Sequence, residues 1–451
     1  MQISLQRISM LFDAGSFVDH APGAESHFLC GDGLINSVKS FLVMNRGQDC
    51  TFKGSGQRRT AEQIISTVTQ AREQRAPLLY VQDHPGEVCS FDTTKVISSD
   101  MSRLLLSPTG MGRVSASLAE FAETNLLISA ILGPTSGPLA LPIMLADLVL
   151  MTKKGALCMG RPDMVKAMLD EQSDLYSLGG TEVHCRGSGS VHLAFEDERR
   201  LFECVRDFLR CLVKDTASAT LEYEEPDAVD FKNLIPSNHR TPYDMHHLLL
   251  SFVDKGSFTE TNAEYAREAL TGYARIKGHF AAIVANNPRF NSGAIHRKSA
   301  AKMAKMINIA AKTSMPIVFL ADIPGFMIGR EAENSGIFLA AAELFRAHVR
   351  CHVPKLLLVV RKAYTGGVYA MSGPGFDPIA VLAYPQAHIG VFSPDTMNKV
   401  MSGADDATKD AMRKLADEIQ NPDLLKADGL ITDVIGMEAT RQEVVRYLFP
   451  T

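Results

Sequence analysis

The 451-residue chain has no Cys-x-x-Cys pair, although it carries eight cysteines: Cys30, Cys50, Cys89, Cys158, Cys185, Cys204, Cys211 and Cys351. Their scatter argues against a zinc ribbon or a disulfide framework and fits the reduced, buried thiols of a cytosolic protein. A long basic run is also missing, and the net charge of -5 is small for this length. Binding to a phosphate backbone is therefore not the expected task, and no nucleic acid partner is foreseen. No apolar run approaches a membrane span, and Met1 to Phe17 shows no basic region followed by a long apolar core. A cytoplasmic location away from membranes is the expectation. Thr109-Gly110-Met111-Gly112 lacks the third glycine and the later acidic residue of a dinucleotide fingerprint. His184 and Cys185 are adjacent rather than spaced to converge, so a structural role is expected for both.

What is present is apolar material and glycine at informative places. A hydrophobic content of 46% in a chain this long can bury more than one core. The most telling stretch is VPKLLLVVRKAYTGGVYAMSGPG, Val353 to Gly375. Lys355 to Val360 lacks polar alternation, the pattern of a strand buried on both faces. Gly366 and Gly367 follow, and a helix starting there would leave its first amide N–H groups pointing outward. Two glycines can equally serve tight strand-to-helix packing.

The rest of the chain bears on that choice, because its patterns recur in order. The Asp-x-Gly-Ser-Phe turn at Asp13 to Phe17 returns at Asp254 to Phe258. APLLYVQD (Ala76 to Asp83) matches MPIVFLAD (Met315 to Asp322). NLLISAILGPTSGPLALPIM (Asn125 to Met144) matches Val353 to Met371, and GALCMGRPDMVKAM (Gly155 to Met168) matches AHIGVFSPDTMNKVM (Ala387 to Met401). The offset stays near roughly 230 to 240 residues, far beyond a solenoid repeat. One α/β domain fold is used twice, with residues 1–225 as the first copy and 226–451 as the second. Lys214 to Asp244 reads as linker and crossover, and His84 to Leu106 as a surface excursion with a possible short helix. Asp83 and Asp322 end equivalent strands, where a helix cap is the expected role. Met303 and Met306 recur at helical spacing, as core residues do.

A glycine turn after the same strand of each half offers two places where backbone amides could stabilise charge on a carbonyl oxygen. The second-half donors would be Gly366 and Gly367. In the first half Gly137 can donate but Pro138 cannot. Two sites suit transfer between two carbonyl compounds that each pass through an enolate-like anion; one site suits a simpler enolate reaction such as decarboxylation.

The ordered motifs resemble the carboxyltransferase (β) subunits of biotin-dependent acyl-CoA carboxylases, including those acting on propionyl-CoA and acetyl-CoA. They include PYDMHHLLLSFVDKGSF (Pro242 to Phe258), GYARIKGHFAAIVANNP (Gly272 to Pro288), PIVFLADIPGFMIG (Pro316 to Gly329) and ADGLITDVIGMEATR (Ala427 to Arg441). In the first half, QRISMLFDAGSF and GRPDMVKAMLDEQSDLYSLGGTEVHCRGSGSVHLAFEDE also match. The resemblance implies two tandem crotonase-like β-β-α spiral domains and a reaction without metal or nucleophilic side chain. It implies carboxybiotin delivered on a separate carrier protein, its ureido oxygen held by Gly366 and Gly367. It also implies a coenzyme A or carrier-protein thioester whose enolate oxygen is held by Gly137 and its neighbour, Pro138 or, with a shifted turn, Leu139. Expected partners are a biotin carboxylase or carrier subunit and further copies of the chain, dimer-based and up to a hexamer.

Three departures from the family accompany the match. Gly137-Pro138 stands where the family has Gly-Gly, SPTGMGR (Ser107 to Arg113) replaces its phosphate-proximal turn, and Ala340-Ala341-Ala342-Glu343 replaces a His-Gly-Ala-Lys run. Arg113 is accordingly a candidate for substrate binding, as are Tyr364 and Tyr369 beside the second glycine turn, with Tyr369 the choice for specificity. Arg361, with Lys362, stands near ligand carboxylates or phosphates, or ends its strand in solvent. The resulting alternatives to a carboxyltransferase are a biotin-independent decarboxylase on the same fold and a non-catalytic scaffold subunit.

Overall fold

The computed structural model describes residues 2–20, 28–45, 55–83, 107–136, 140–213, 222–391, 403 and 405–450. The chain forms two compact units, Met1–Lys214 and Asp215–Thr451. The expected excursion at His84 to Leu106 lies outside the described residues.

The first unit is built on one sheet. Its strands are β1 (Val18–Asp19), β2 (Phe28–Ile35), β3 (Val38–Asn45), β4 (Leu78–Gln82), β5 (Leu127–Ile131), β7 (Leu148–Thr152) and β9 (Leu193–Phe195), in that spatial order. A separate pair joins β6 (Pro134–Ser136) to β8 (Ala156–Cys158). The β1-β2-β3 meander is antiparallel and every later pairing is parallel. Helices Ser55–Glu73 and Met111–Thr124 pack Ile64, Val68, Val114, Leu118 and Phe121 into the core beside Phe41, Leu78 and Tyr80.

The second unit repeats this plan. Its strands β10 (Thr259–Thr261), β11 (Ala269–Ile276), β12 (His279–Asn286), β13 (Ile317–Ile323), β14 (Lys355–Tyr364), β15 (Ala380–Ala383) and β17 (Asp433–Val434) follow one another across the sheet, again antiparallel first and then parallel. The end of β14 also pairs with β16 (His388–Gly390). All ten residues of β14 are buried, as a parallel strand covered on both faces requires. Met303 and Met306 lie in the core from the helix Arg297–Thr313, as their spacing predicts.

The recurring Asp-x-Gly-Ser-Phe turn has a physical role in each unit. Asp13 accepts the N–H groups of Asn36 and Ser37, and Asp254 those of Lys277 and Gly278. These residues have positive φ and turn the β2-β3 and β11-β12 hairpins. An arginine from later in each unit completes the knot. Arg206 bonds the Leu11 carbonyl and Asp13, and Arg441 bonds the Phe252 carbonyl and Asp254.

Among the described residues, neither Asp83 nor Asp322 caps a helix; the residues that follow Asp83 lie outside them. Arg7 pairs with Asp83 at 2.6 Å and with Glu198 at 2.6 Å. Asp322 receives Arg361 Nε at 3.0 Å, with Lys362 Nζ at 3.6 Å. A carboxylate at the buried end of a parallel strand is held by charges from other elements, because uncompensated burial would cost several kcal/mol.

Candidate active site

β14 ends at a turn whose geometry is strained. Thr365, a β-branched residue, has φ 52 and ψ -137, which costs roughly 1–3 kcal/mol and persists only when its surroundings enforce it. Its N–H donates to the Gly390 carbonyl at 3.0 Å. A short helix, Gly366–Ala370, begins at once, and Thr365 offers it no side-chain cap. After Thr365, the next residue of the turn to donate a backbone hydrogen bond is Val368, to the Thr365 carbonyl at 3.2 Å. Among the described residues, no acceptor meets the N–H of Gly366 or Gly367.

The glycines also permit close packing. A Cβ on Gly367 would stand 3.0 Å from Ile323 Cδ1 and 3.1 Å from Gly325 Cα. One on Gly325, whose φ is +123°, would reach Thr365 Oγ1 at 2.7 Å. Gly366 has more room, the nearest atom being a Phe326 ring carbon at 3.4 Å. The two readings of the glycine pair are compatible: tight packing on the Pro324-Gly325-Phe326 segment goes with two N–H groups that have no backbone acceptor.

Tyr364, Thr365, Arg361, Lys362 and His388 line a cavity of about 1300 Å³, closed on another side by the segment 237–242. Arg361 is neither in solvent nor a free cation. It is 1% exposed, and besides Asp322 it donates to the carbonyls of Asn238 at 3.0 Å and Thr241 at 2.9 Å. It thereby fixes the cavity wall, its guanidinium lying 4.8 Å from the Tyr243 ring. Burial pushes the Asp322 carboxyl up and the Lys362 ammonium down. His239 stacks edge-on against His388, centroids 4.7 Å apart. Burial, then the neighbouring His388, Arg361 and Lys362, push His239 down to about 4, so it is neutral at pH 7.

Tyr364 is buried at the strand end, whereas Tyr369 is 54% exposed and lies outside this cavity lining. In the first unit, Arg113 stands on the helix Met111–Thr124 and pairs with Glu120 at 3.0 Å. Gly137, Pro138 and Leu139 lie outside the described residues. The strands before them nevertheless set a count. Ser129 faces Val149 as Leu357 faces Val381, and Ser136 faces Cys158 as Tyr364 faces Gly390. Two residues beyond Ser136 comes Pro138, and two beyond Tyr364 comes Gly366. His184 is structural: its ring bonds the Leu157 carbonyl at 2.7 Å.

Sequence reasoning missed a relay behind the cavity. His246 lies between Asp244 at 2.6 Å and Glu260 at 2.7 Å, and Asp244 also binds Arg289 at 3.0 Å. The Glu260 hydrogen bond, then that of Asp244, raises His246 against the opposing effect of burial. Burial works to raise Asp244, but hydrogen bonds from His246 and Arg289 outweigh it and hold the carboxyl below its usual range. Also missed was Lys302, whose buried ammonium donates to the carbonyls of Asn262, Tyr265 and Ala269 at 2.7–3.0 Å. Burial lowers it to about 8. The Asp244 cap before Met245–Leu250 is visible in the sequence, but the convergence of Glu260 and Arg289 on it is not.

Comparison with known proteins follows the same lines. The family described as Carboxyl transferase domain matches residues 1–446. A Bacillus subtilis (strain 168) protein named uncharacterized carboxylase YngE is 33% identical over 401 residues, 86% of this chain and 77% of that protein. The propionyl-CoA carboxylase carboxyltransferase subunit of Haloferax mediterranei is 28% identical, covering 98% of this chain and 88% of its own. Among solved structures, transcarboxylase 12S, described as a hexamer with hydrolysed methylmalonyl-coenzyme A bound, matches with a TM-score of 0.82 at 25% identity. The match covers 98% of this chain and 88% of that one. The likeness bears out the tandem crotonase-like α/β architecture. Among the described residues, no helix is long and apolar enough to cross a membrane.

Proposed function

The chain belongs to the carboxyl transferase domain family, and from that premise we propose that it is the carboxyltransferase component of a biotin-dependent acyl-CoA carboxylase. The observation that carries the site assignment is the pair of N–H groups without a backbone acceptor, Gly366 and Gly367, directly after Tyr364 and Thr365, which line a cavity of about 1300 Å³. Two such donors suit a ureido or thioester oxygen, and the cavity has room for a bicyclic ring on a carrier arm. Biotin, when bound, supplies the carboxyl group that is transferred.

The protein's own contribution is electrostatic. The Gly366 and Gly367 amides stabilise negative charge developing on the bound oxygen, each such donor being worth about 3–4 kcal/mol in a preorganised site. Thr365, fixed by Gly390, aims them before any ligand arrives. Arg361 holds the facing wall and Lys362 leaves the cavity positively biased towards a carboxylate. The first-half turn takes the enolate oxygen of an acyl-CoA thioester, with Gly137 or Leu139 as donor because Pro138 has none. Partner subunits carry and carboxylate the biotin, the chain assembles with further copies of itself, and the enzyme works in the cytoplasm.

Pro138 supports one second reading, a biotin-independent decarboxylase of a malonyl-type thioester. Acetyl- and propionyl-CoA would be incubated with the protein and a carboxylated biotin carrier, and malonyl- and methylmalonyl-CoA without the carrier. Carrier-dependent carboxylation is the expected result. Carbon dioxide release without biotin would establish the decarboxylase instead, and silence in both assays would leave a scaffold subunit.

A further inference from the structure

A second cavity, of about 870 Å³, shares Arg289, Asn291, Met327 and Ile328 with the first. Besides Arg289, four cations line it, Arg267, Arg297, Lys298 and Arg330, and among the described residues none of these four has a carboxylate within ion-pair distance. Several surface arginines elsewhere, among them Arg72, Arg113, Arg199, Arg346 and Arg446, do have such a partner. Glu264, Glu268 and Glu331 also line the cavity. Glu268 is buried and acts on Lys302, leaving two acids against four uncompensated cations.

Like charges around a concavity repel one another unless a counter-charge enters, and low-dielectric walls strengthen that preference. Guanidinium forks match phosphate oxygens in geometry. Arg289 is already neutralised by Asp244 at 3.0 Å and fixed at the boundary of the two cavities. The lining is not wholly polar: Met327, Ile328 and Ala332 contribute apolar surface, and the Arg267 guanidinium lies 4.0 Å from the Phe290 ring. The volume falls within the ordinary range for small organic ligands, well above that of a lone inorganic ion.

We propose that this second cavity binds a phosphorylated nucleoside carrying two or more negative charges, its phosphates on Arg267, Arg297, Lys298 and Arg330 and its organic body on the apolar wall. Such chemistry has two sources: the nucleotide end of a coenzyme A thioester, which rests on the carboxyltransferase reading, or a free nucleotide, which does not.

Isothermal titration of the full chain with adenosine 3′,5′-bisphosphate, coenzyme A, ADP and inorganic phosphate tests the site. Saturable bisphosphate binding is expected, weakened about tenfold or more by the double substitution Arg267→Ala and Arg297→Ala with the thermal midpoint unchanged. Coenzyme A affected equally identifies the thioester as the source, whereas ADP and bisphosphate affected without coenzyme A identify a free nucleotide. Absence of binding at millimolar concentration, binding indifferent to the double substitution, or inorganic phosphate binding as tightly as the bisphosphate would each overturn the proposal. Carboxyl transfer by the unaltered protein is measured in parallel. Its absence in the unaltered protein, with nucleotide binding intact, would count against the carboxyltransferase reading alone.

Discussion

The Thr365 N–H donates to the Gly390 carbonyl at 3.0 Å, so the last strand pairing of β14 holds a β-branched residue at φ 52. The adjoining glycines inherit an orientation that their own sequence does not impose.

Removing a donor should therefore disable the turn without unfolding the unit. Gly366→Pro, which loses one N–H at a helix start that tolerates proline, is expected to lower carboxyl transfer by about 10²–10³. Gly367→Ala should also lose activity, because its Cβ would crowd Ile323 and Gly325. Gly366→Ala, with its nearest contact at 3.4 Å, should keep most of it. Steady-state rates together with thermal midpoints check the order; a fully active, folded Gly366→Pro would remove the oxyanion assignment.

Along the sequence Pro138 stands two residues beyond Ser136, as Gly366 stands two beyond Tyr364. Pro138→Gly restores an N–H and should raise the rate of acyl-CoA carboxylation about tenfold or more if that donor is limiting. An unchanged rate would show that the first-half turn does not need it.

His246 predicts a pH dependence. Its folded pKa is raised by Glu260 and Asp244 above the ordinary value of 6.5. The native state then binds more proton than the unfolded state above about pH 6.5, so this contribution is complete below that pH and is lost as pH rises through the folded pKa. Urea midpoints of the unaltered protein should fall relative to those of His246→Gln as the pH rises above about 6.5. Parallel curves would contradict it.

Lys302 ties three backbone carbonyls around the loop 262–269. Lys302→Met keeps the volume but leaves the carbonyls unbonded, and is expected to cost about 3–5 kcal/mol in denaturant unfolding. A loss below about 1 kcal/mol would mean that water or a shifted loop replaces the ammonium.

Much of the architecture was readable in the sequence because it depends on local period and composition. Lys355 to Tyr364 is buried on both faces and lacks polar alternation; the helix Arg297–Thr313 buries Met303 and Met306 at helical spacing. The two Asp-x-Gly-Ser-Phe turns repeat because each must satisfy the N–H groups of a left-handed hairpin. Asp83 and Asp322 read as caps because an aspartate after a strand usually meets nearby amides. Their partners Arg7 and Arg361 come instead from distant segments.

By itself the sequence determined the duplicated α/β plan, buried strands such as β4, β13 and β14, and the glycine pair at the end of β14, since burial periodicity and backbone permissiveness are written residue by residue. Only the tertiary structure decided where the charges go. It committed Arg361 to Asp322 and the cavity wall, linked His246 to Arg289 through Asp244, and, among the described residues, left Arg267, Arg297, Lys298 and Arg330 without carboxylate partners around one cavity. Ion pairs act over a few ångströms of space whatever the distance along the chain, so their partners are fixed only when the sheet brings them together.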